Sequence, residues 1–233
     1  MANIANVTGA GRGIGLELCR QLLERGYTVV ACTRSPGSEE LDELKRRNEG
    51  RIHEVSMDVA DDASVAAATE RITARVDHID VLINNAGVYP KDENGLEGLD
   101  LRSLGVAFEV NAVGALRVTR ALLPLLRKGD GKRVIQITSL MGSIGDNTSG
   151  GSYAYRLSKA AMNMANRNLA HELGSEGFLC LAVHPGWVRT RMGGAGAPLD
   201  LAPAVEQVLQ NALSSGRRET GGFKGPGGAT LPF

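Results

Sequence analysis

The residues best suited to do chemistry are a tyrosine and a lysine, Tyr155 and Lys159, in one predicted helix. Residues four positions apart share a helical face, so both side chains should point the same way. A free tyrosine, with a pKa of about 10, is a poor acid–base at neutral pH. A nearby ammonium favours the phenolate and lowers that pKa. The pair therefore predicts a tyrosine that gives a proton to a carbonyl oxygen as hydride reaches the carbon, although such a pair is also common on helix surfaces.

Two further polar residues are candidates for the same site. Ser139 ends a predicted strand, where its hydroxyl would hydrogen-bond a substrate oxygen and stabilise developing charge. Ser143 in the following loop is its rival, and an ordinary turn serine is the alternative. Asn111 stands in an apolar helical stretch, and a buried amide needs a hydrogen-bond partner. We expect Asn111 to have a structural or relay role.

A glycine-rich turn follows the first predicted strand. Gly9, Gly13 and Gly15 fit the pattern T-G-x-x-x-G-x-G, whereas G-x-G-x-x-G fails because Ile14 occupies its last position. Without Cβ atoms, the backbone N–H groups of such a turn can meet a pyrophosphate at the N-terminus of the next helix. A turn that is merely flexible is the alternative. The spacing and context predict a dinucleotide site.

Two arginines indicate which dinucleotide is bound. The second predicted strand ends at Arg34, without the acidic residue that holds the ribose 2′-hydroxyl in NAD-binding folds. Arg34 and Arg12, which lies inside the glycine turn, would bind a 2′-phosphate, unless both are only solvated surface residues. Asp58, after the third strand, would accept from the adenine amino group, or it is an ordinary turn or capping residue. NADP is therefore predicted over NAD.

Strand and helix patterns alternate along the whole chain and must position these residues. Apolar runs predict strands at 4–7, 27–32, 51–57, 79–83, 133–138 and 178–183, with a short one near Gly222. Helical stripes fall at 15–25, 39–48, 61–75, 101–128, 152–174 and 201–213. Pro124 is expected to kink or shorten the fourth helix. The pattern predicts one α/β domain over residues 1–233, a doubly wound parallel sheet of about seven strands with helices on both faces.

Composition excludes several classes of function. The 233 residues contain 26 basic and 26 acidic side chains, so the net charge gives no footprint for nucleic acid or an anionic membrane. No membrane span or signal peptide is visible. Three scattered cysteines suggest a reducing, cytoplasmic setting. Neither a metal-binding cluster nor a hydrolase G-x-S-x-G motif occurs, and His171-Glu172 lacks the second histidine of H-E-x-x-H.

Together these residues resemble the short-chain dehydrogenase/reductase family in its single-domain branch. The matching motifs occur in family order over most of the chain, at 8–15, 84–87, Asn111, Ser139, 155–159 and Pro185-Gly186. Residues 142–150, 154–161 and 184–190 look more narrowly like the C-factor and Sniffer-type carbonyl reductases. The segment from Ser139 to Tyr155 is a few residues longer than is usual in the family, as it is in the Sniffer-type branch.

The resemblance implies a Rossmann fold and a catalytic set of Asn111, Ser139, Tyr155 and Lys159. Tyr155 would be the acid–base, Lys159 would hold the ribose hydroxyls and lower the tyrosine pKa, Asn111 would support a water-linked proton relay, and Ser139 would orient the carbonyl. The implied NADP(H) site also contains Gly9, Arg12, Gly13, Ile14, Gly15, Arg34, Asp58, Val59, Asn85, Ala86, Gly87, Pro185, Gly186, Val188 and Thr190. Family members usually pair through two long helices, here 101–128 and 152–174, as homodimers or homotetramers.

The favoured function is reduction of a small or mid-sized neutral aldehyde or ketone by NADPH. The candidate pocket loops, 88–97, 140–151 and 187–200, offer apolar side chains such as Val88, Leu140 and Trp187, and we expect few fixed charges beyond Asp146 and Arg191 to face a substrate there. A nucleotide-sensing or signalling protein of the same fold is one alternative, but it would not need Tyr155 and Lys159 together. An alcohol dehydrogenase working in the oxidative direction is the other, and it would use the same residues.

Overall fold

The computed structural model describes residues 3–90 and 95–233, so positions 91–94 of the predicted pocket loop 88–97 lie outside the described residues. The bounds of the elements follow the predicted alternation closely. The strands are β1 Ile4–Thr8, β2 Thr28–Thr33, β3 Ile52–Ser56, β4 Val81–Asn84, β5 Arg133–Ile137, β6 Leu179–Val183 and β7 Phe223–Lys224. The helices are α1 Gly13–Glu24, α2 Glu39–Arg47, α3 Asp62–Thr73, α4 Leu101–Phe108, α5 Gly114–Lys128, α6 Tyr153–Leu173 and α7 Leu201–Ser214.

All seven strands belong to one parallel sheet, in the order β3-β2-β1-β4-β5-β6-β7. The chain order reverses between β1 and β4, which pair directly. A parallel α/β sheet binds ligands in the crevice beyond the carboxyl ends of its strands at such a reversal. Thr8 and Asn84 are the residues that end these two strands. The crevice therefore opens where the glycine turn begins.

Helices cover both faces of the sheet, as predicted. The α1, α2 and α7 helices pack on one face, where Leu18 and Val208 meet Val7 of β1 in one core. On the other face, α3, α5 and α6 pack over a second core that includes Leu122 and Val30. Strands buried on both sides must be apolar nearly throughout, which explains the short continuous runs in the sequence. No helix among the described residues is long and apolar enough to cross a membrane.

The predicted helix 101–128 contains an irregular turn. Between α4 and α5, residues Glu109–Val113 form a π-helical turn, a rare conformation that is enriched at functional sites. Asn111 lies in this turn and is fully buried. The expected shortening at Pro124 is wrong, because α5 continues to Lys128. Its buried face, which includes Leu122 and Leu126, packs against the sheet and offsets the hydrogen bond that proline cannot donate.

Candidate active site

Tyr155 and Lys159 lie one turn apart on α6, beside the carboxyl end of β5. Lys159 is buried, and its Nζ donates a hydrogen bond of 2.8 Å to the carbonyl of Ile137, the last residue of β5. The same Nζ is 5.8 Å from the centroid of the Tyr155 ring. Tyr155 keeps part of its surface accessible. The expected common face is therefore present, with the lysine behind the tyrosine.

The expected lowering of the tyrosine pKa is wrong for this arrangement. Burial raises the pKa of Tyr155 to about 12, and nearby Tyr89 adds to the rise, against an opposing hydrogen bond from Ser139. Burial lowers the pKa of Lys159 to about 8. The lysine directs its ammonium at the Ile137 carbonyl, so desolvation outweighs its attraction for the phenolate. At neutral pH the phenol is protonated and the lysine is charged.

Ser139 lies two residues after the end of β5 and hydrogen-bonds the Tyr155 side chain. Its Oγ also accepts from the Met141 N–H at 3.2 Å. The rival Ser143 is buried, and its Oγ accepts from the Asp146 N–H at 3.0 Å, which shapes the loop. Of the two serines, the structure brings Ser139 to the tyrosine.

The amide of Asn111 is fully engaged with protein groups. Its Oδ1 accepts from the Val88 N–H at 2.8 Å, and its Nδ2 donates to the Val88 carbonyl and to Ser158 Oγ, both at 2.9 Å. Ser158 Oγ in turn donates to the Tyr155 carbonyl. Asn111 thus ties the segment after β4 to α6, which is the structural role expected of it. A role in a proton relay stays a prediction.

Asn85 supports the glycine turn from below. Its Nδ2 donates to the carbonyls of Thr8 and Gly9, at 2.9 and 3.3 Å. The Thr8 hydroxyl accepts from the backbone N–H groups of Asn85 and Ala86, each at 3.0 Å. The end of β4 therefore holds the end of β1 through four hydrogen bonds. The turn is fixed before any ligand arrives.

Replacing Asn85 with Ala should weaken NADPH binding about tenfold, because a lost hydrogen-bond pair of about 1–2 kcal/mol frees the turn. Fluorescence titration of the purified protein measures the dissociation constant. Asn48→Ala is the matched control, since the Asn48 amide bonds Leu44 of α2 and Arg51 and, among the described residues, no part of the glycine turn. Equal affinities for wild type and Asn85→Ala would contradict the supporting role.

The glycine turn has the shape that a pyrophosphate requires. A Cβ on Gly15 would lie 2.1 Å from the Gly9 carbonyl oxygen, and one on Gly9 would lie 2.9 Å from Ala86 Cα. Gly9 and Gly13 have φ of 66° and 54°, values that favour glycine. In the described part of the chain, the N-cap residue Arg12 makes no side-chain hydrogen bond to the first N–H groups of α1. These donors, at the positive end of the helix, fit the phosphates of a dinucleotide.

Arg12 and Arg34 are exposed and close to each other in the fold. Ala10 N–H donates to the Cys32 carbonyl at 3.0 Å, and Ser38 Oγ donates to the Gly11 carbonyl at 3.1 Å, so the glycine turn lies against the end of β2. Neither guanidinium has an ion-pair or hydrogen-bond partner in the described part of the chain. Two guanidinium groups without partners, beside a turn that can bind a pyrophosphate, suit the binding of a further phosphate group.

The acidic residue after β3, Asp58, takes part in the local turn. Asp58 Oδ1 accepts from the Ala60 N–H at 3.0 Å, so one oxygen serves the turn, as in the alternative interpretation. The cap of α3 is Asp61, whose carboxylate accepts from Ser64 N–H. Val59 is buried, where a Cβ on Gly114 would lie 2.9 Å from its side chain. Adenine recognition by Asp58 stays a prediction.

The segment after β6 folds back over the glycine turn. Gly186 has φ of 86°, and a Cβ there would lie 2.3 Å from Leu199. Val188 is buried and bridges to Leu199. Thr190 Oγ1 accepts from the Gly193 N–H at 3.0 Å, and its methyl group would lie 3.7 Å from a Cβ on Gly13. The fold thus brings Thr190 to Gly13 from far along the sequence, while Ile14 packs towards the core. Cofactor binding by these residues stays a prediction.

Two residues of the site were missed from the sequence. Ser158, which links Asn111 to α6, has no signal beyond its place on the Tyr155–Lys159 helix. Arg156 donates to Met141 and Gly150 carbonyls and to Ser149 Oγ, at 3.4, 3.1 and 2.8 Å. It holds both ends of the loop 141–150 against α6. A lone arginine on a helix resembles an ordinary surface residue, so the pattern could not have found it.

Comparison with known proteins gives a consistent result. A family model described as short chain dehydrogenase matches residues 3–197. The C-signal of Myxococcus xanthus is 44% identical over 155 residues, which cover 66% of this chain and 93% of that protein. The solved structure of the carbonyl reductase Sniffer of D. melanogaster has a TM-score of 0.92 at 32% identity and covers 100% of both chains.

A second solved structure adds a cofactor to the comparison. The NADPH-bound carbonyl reductase from chicken fatty liver has a TM-score of 0.92 at 29% identity, and the match covers 100% of this chain and 99% of that one. The similarity extends over the sheet, the glycine turn and the helix that carries Tyr155. The chain therefore belongs to the short-chain dehydrogenase family, in the branch similar to C-signal and the Sniffer carbonyl reductases.

Proposed function

We propose that the protein is an NADPH-dependent reductase of an aldehyde or ketone. One observation carries this proposal: the protonated Tyr155 phenol and the Ser139 hydroxyl meet beside the crevice, with the charged Lys159 behind them. The similarity to carbonyl reductases, one of them with NADPH bound, supports the same conclusion.

The chemistry follows from these side chains. NADPH, when bound, would supply the hydride that reduces the carbonyl carbon. Tyr155 donates its phenolic proton to the carbonyl oxygen, so the product is the alcohol and the tyrosine becomes a phenolate. The Ser139 hydroxyl donates a hydrogen bond to the same oxygen and stabilises the negative charge that develops on that oxygen. The Lys159 ammonium then stabilises the phenolate until solvent reprotonates it.

The raised pKa of Tyr155 fits its role as the proton donor in the proposed reduction. Burial holds the pKa at about 12, so the side chain begins as a proton donor at neutral pH. Oxidation of an alcohol would need a proton acceptor, that is, the phenolate, in the same position. The geometry serves both directions, and the similarity to carbonyl reductases supports the reductive one.

The residues of the crevice fit NADP(H). The N–H groups at the start of α1, with Gly9, Gly13 and Gly15, would hold the pyrophosphate, and Asn85 would keep that turn in place. Arg12 and Arg34 would bind the 2′-phosphate. The segments of Asp58–Val59, Ala86–Gly87 and Pro185–Thr190 would line the rest of the site.

The test compares the consumption of NADPH and NADH with a panel of aldehydes, ketones and diketones. The loss of absorbance of the reduced nicotinamide measures this consumption. Faster oxidation of NADPH with at least one carbonyl is the expected result. The similarity to a protein named C-signal supports a signalling role as second candidate. Tight NADPH binding with no turnover on any carbonyl would favour that candidate and overturn the proposed reductase.

The pH dependence should follow Lys159. Burial lowers its pKa to about 8, so the ammonium is present below this pH and lost above it. We expect kcat/KM for NADPH, which reports ionisations of the free enzyme, to be level near neutrality and to fall above about pH 8, by about tenfold per unit. Tyr155, at about 12, titrates too high to contribute.

Initial rates at saturating carbonyl, measured from pH 6 to 10 in buffers of constant ionic strength, check this expectation. NADPH binding to Lys159→Met should be weaker and should lack the step near pH 8. A wild-type profile that stays level to pH 10 would contradict the assignment.

We propose that the protein associates with copies of itself as a homodimer or homotetramer. The helices α4, α5 and α6 expose large apolar side chains, among them Val106, Leu116, Leu157 and Met164. A contiguous exposed apolar patch marks an interaction surface, and we propose that these side chains form such a patch between copies of this chain. Sedimentation equilibrium would detect the pairing. The three free, buried cysteines suit the reducing cytoplasm that we also propose.

A further inference from the structure

The segment after β4 places a second tyrosine against the first. The rings of Tyr89 and Tyr155 meet edge to face, with centroids 4.6 Å apart and an interplanar angle of 65°. Such a contact stabilises by about 0.5–1.5 kcal/mol beyond simple burial. The proposed mechanism assigns no role to Tyr89. Its ring nevertheless covers one side of the residue that gives the proton.

Tyr89 stands on a fixed support. Its neighbour Val88 is held by Asn111 at both its N–H and its carbonyl, with bonds of 2.8 and 2.9 Å. Asn111 is fully buried and is itself bonded to Ser158 of α6. The backbone that carries the Tyr89 ring therefore cannot move away from α6 without breaking a buried amide network.

The hydroxyl of Tyr89 reaches the residue immediately before α6, the helix that carries Tyr155. Its oxygen is 2.8 Å from Ser152 Oγ, and either group can donate. Ser152 has φ of 45° and ψ of 46°, a left-handed conformation that is costly for a residue with a Cβ. Strained residues persist only where their surroundings hold them, and they cluster at functional sites. The hydrogen bond between Tyr89 and Ser152 helps to keep Ser152 in this conformation, three residues before Tyr155.

We propose that Tyr89 is a specificity-determining residue, which narrows the approach to Tyr155 and selects carbonyl compounds with a small group beside the carbonyl. With Ser152 it forms a pair, the Tyr89–Ser152 clamp, that also fixes the first turn of α6. A substrate oxygen bonded to the Tyr155 hydroxyl must carry its substituents past the Tyr89 ring. An aldehyde or methyl ketone passes, whereas a branched group meets the ring. This inference rests on the proposed reductase function.

The test compares Tyr89→Ala with wild type on matched substrates. The pairs are butyrophenone against isobutyrophenone and pentanal against pivaldehyde, which are isomers that differ only in branching beside the carbonyl. We expect the ratio of kcat/KM for the branched to the unbranched member to rise about tenfold in Tyr89→Ala, since a single pocket methylene is worth about that much. Tyr153→Ala is the control, because Tyr153 makes no ring contact with Tyr155 among the described residues. An unchanged ratio in an active Tyr89→Ala variant would overturn the proposal.

A second variant separates the ring from its hydroxyl. Tyr89→Phe keeps the ring and should keep the substrate ratio, while it lowers kcat about threefold to tenfold by loosening the start of α6. Ser152→Ala should do the same, and the double variant should be no worse than either single one. Full additivity of the two losses would overturn the clamp.

The experiment also distinguishes failure of this inference from failure of the proposed function. If none of the carbonyl compounds supports NADPH oxidation by wild type, the proposed reductase function is wrong. Amide hydrogen exchange over residues 150–156 of Tyr89→Phe then tests whether the Tyr89–Ser152 clamp exists. Faster exchange than in wild type supports it. Unchanged exchange overturns it.

Discussion

Replacing Tyr155 with Phe is expected to lower kcat/KM for the carbonyl by about 100-fold to 10,000-fold, the range that general acid catalysis contributes. In the proposed mechanism the phenol gives a proton to the substrate oxygen, and Ser139 hydrogen-bonds that oxygen without replacing the acid. Phe keeps the ring that packs against Tyr89. NADPH affinity should therefore stay within about twofold of wild type, a change of about 0.4 kcal/mol or less.

Steady-state rates and fluorescence titration of NADPH measure the two quantities separately. Tyr153→Phe is the matched control, since it removes a phenol two residues away on the same helix. Ser139→Ala should cost less than Tyr155→Phe, because the tyrosine still gives the proton after the serine is lost. Retention of more than a tenth of wild-type turnover by Tyr155→Phe would contradict the assignment of the acid.

Much of the fold was accessible from the sequence because its signals are local. Strands buried on both faces must be apolar nearly throughout, and glycine is required where the chain ends β1 and enters α1. The position of the crevice follows, since parallel strands bring their carboxyl ends to one edge. The expected shortening of the helix at Pro124 did not occur, because tertiary packing of the buried face of α5 outweighed the local cost of one lost hydrogen bond.

The parts that could not be predicted depend on contacts between distant segments. The pKa of Tyr155 is set by how much water the fold removes, by the hydrogen bond from Ser139 and by Tyr89, more than 60 positions earlier. A helical spacing gives the direction in which a side chain points but not the burial around it. Asn111 was predicted to need a partner, yet its partners, Val88 and Ser158, were visible only in the fold.

Substitution of the two free arginines should change the choice of cofactor. Each guanidinium that binds the 2′-phosphate through charge-assisted hydrogen bonds contributes about 1.5–3 kcal/mol, so we expect Arg34→Ala to lower kcat/KM for NADPH by about 10-fold to 100-fold. NADH lacks that phosphate, and its kcat/KM should be unchanged. Arg12→Ala should act in the same direction, and the double variant should lose most of the preference.

The comparison works because the loss is confined to one cofactor. General damage to the glycine turn would lower NADPH and NADH rates together, whereas a lost phosphate contact lowers only the first. Arg71→Ala is the matched control, since Arg71 is an exposed arginine on α3, outside the crevice. The NADPH preference of wild type should also weaken with added salt, because both arginines are solvent-exposed. Equal losses with the two cofactors would mean that Arg34 supports the fold of the site and that the NADP preference has another origin.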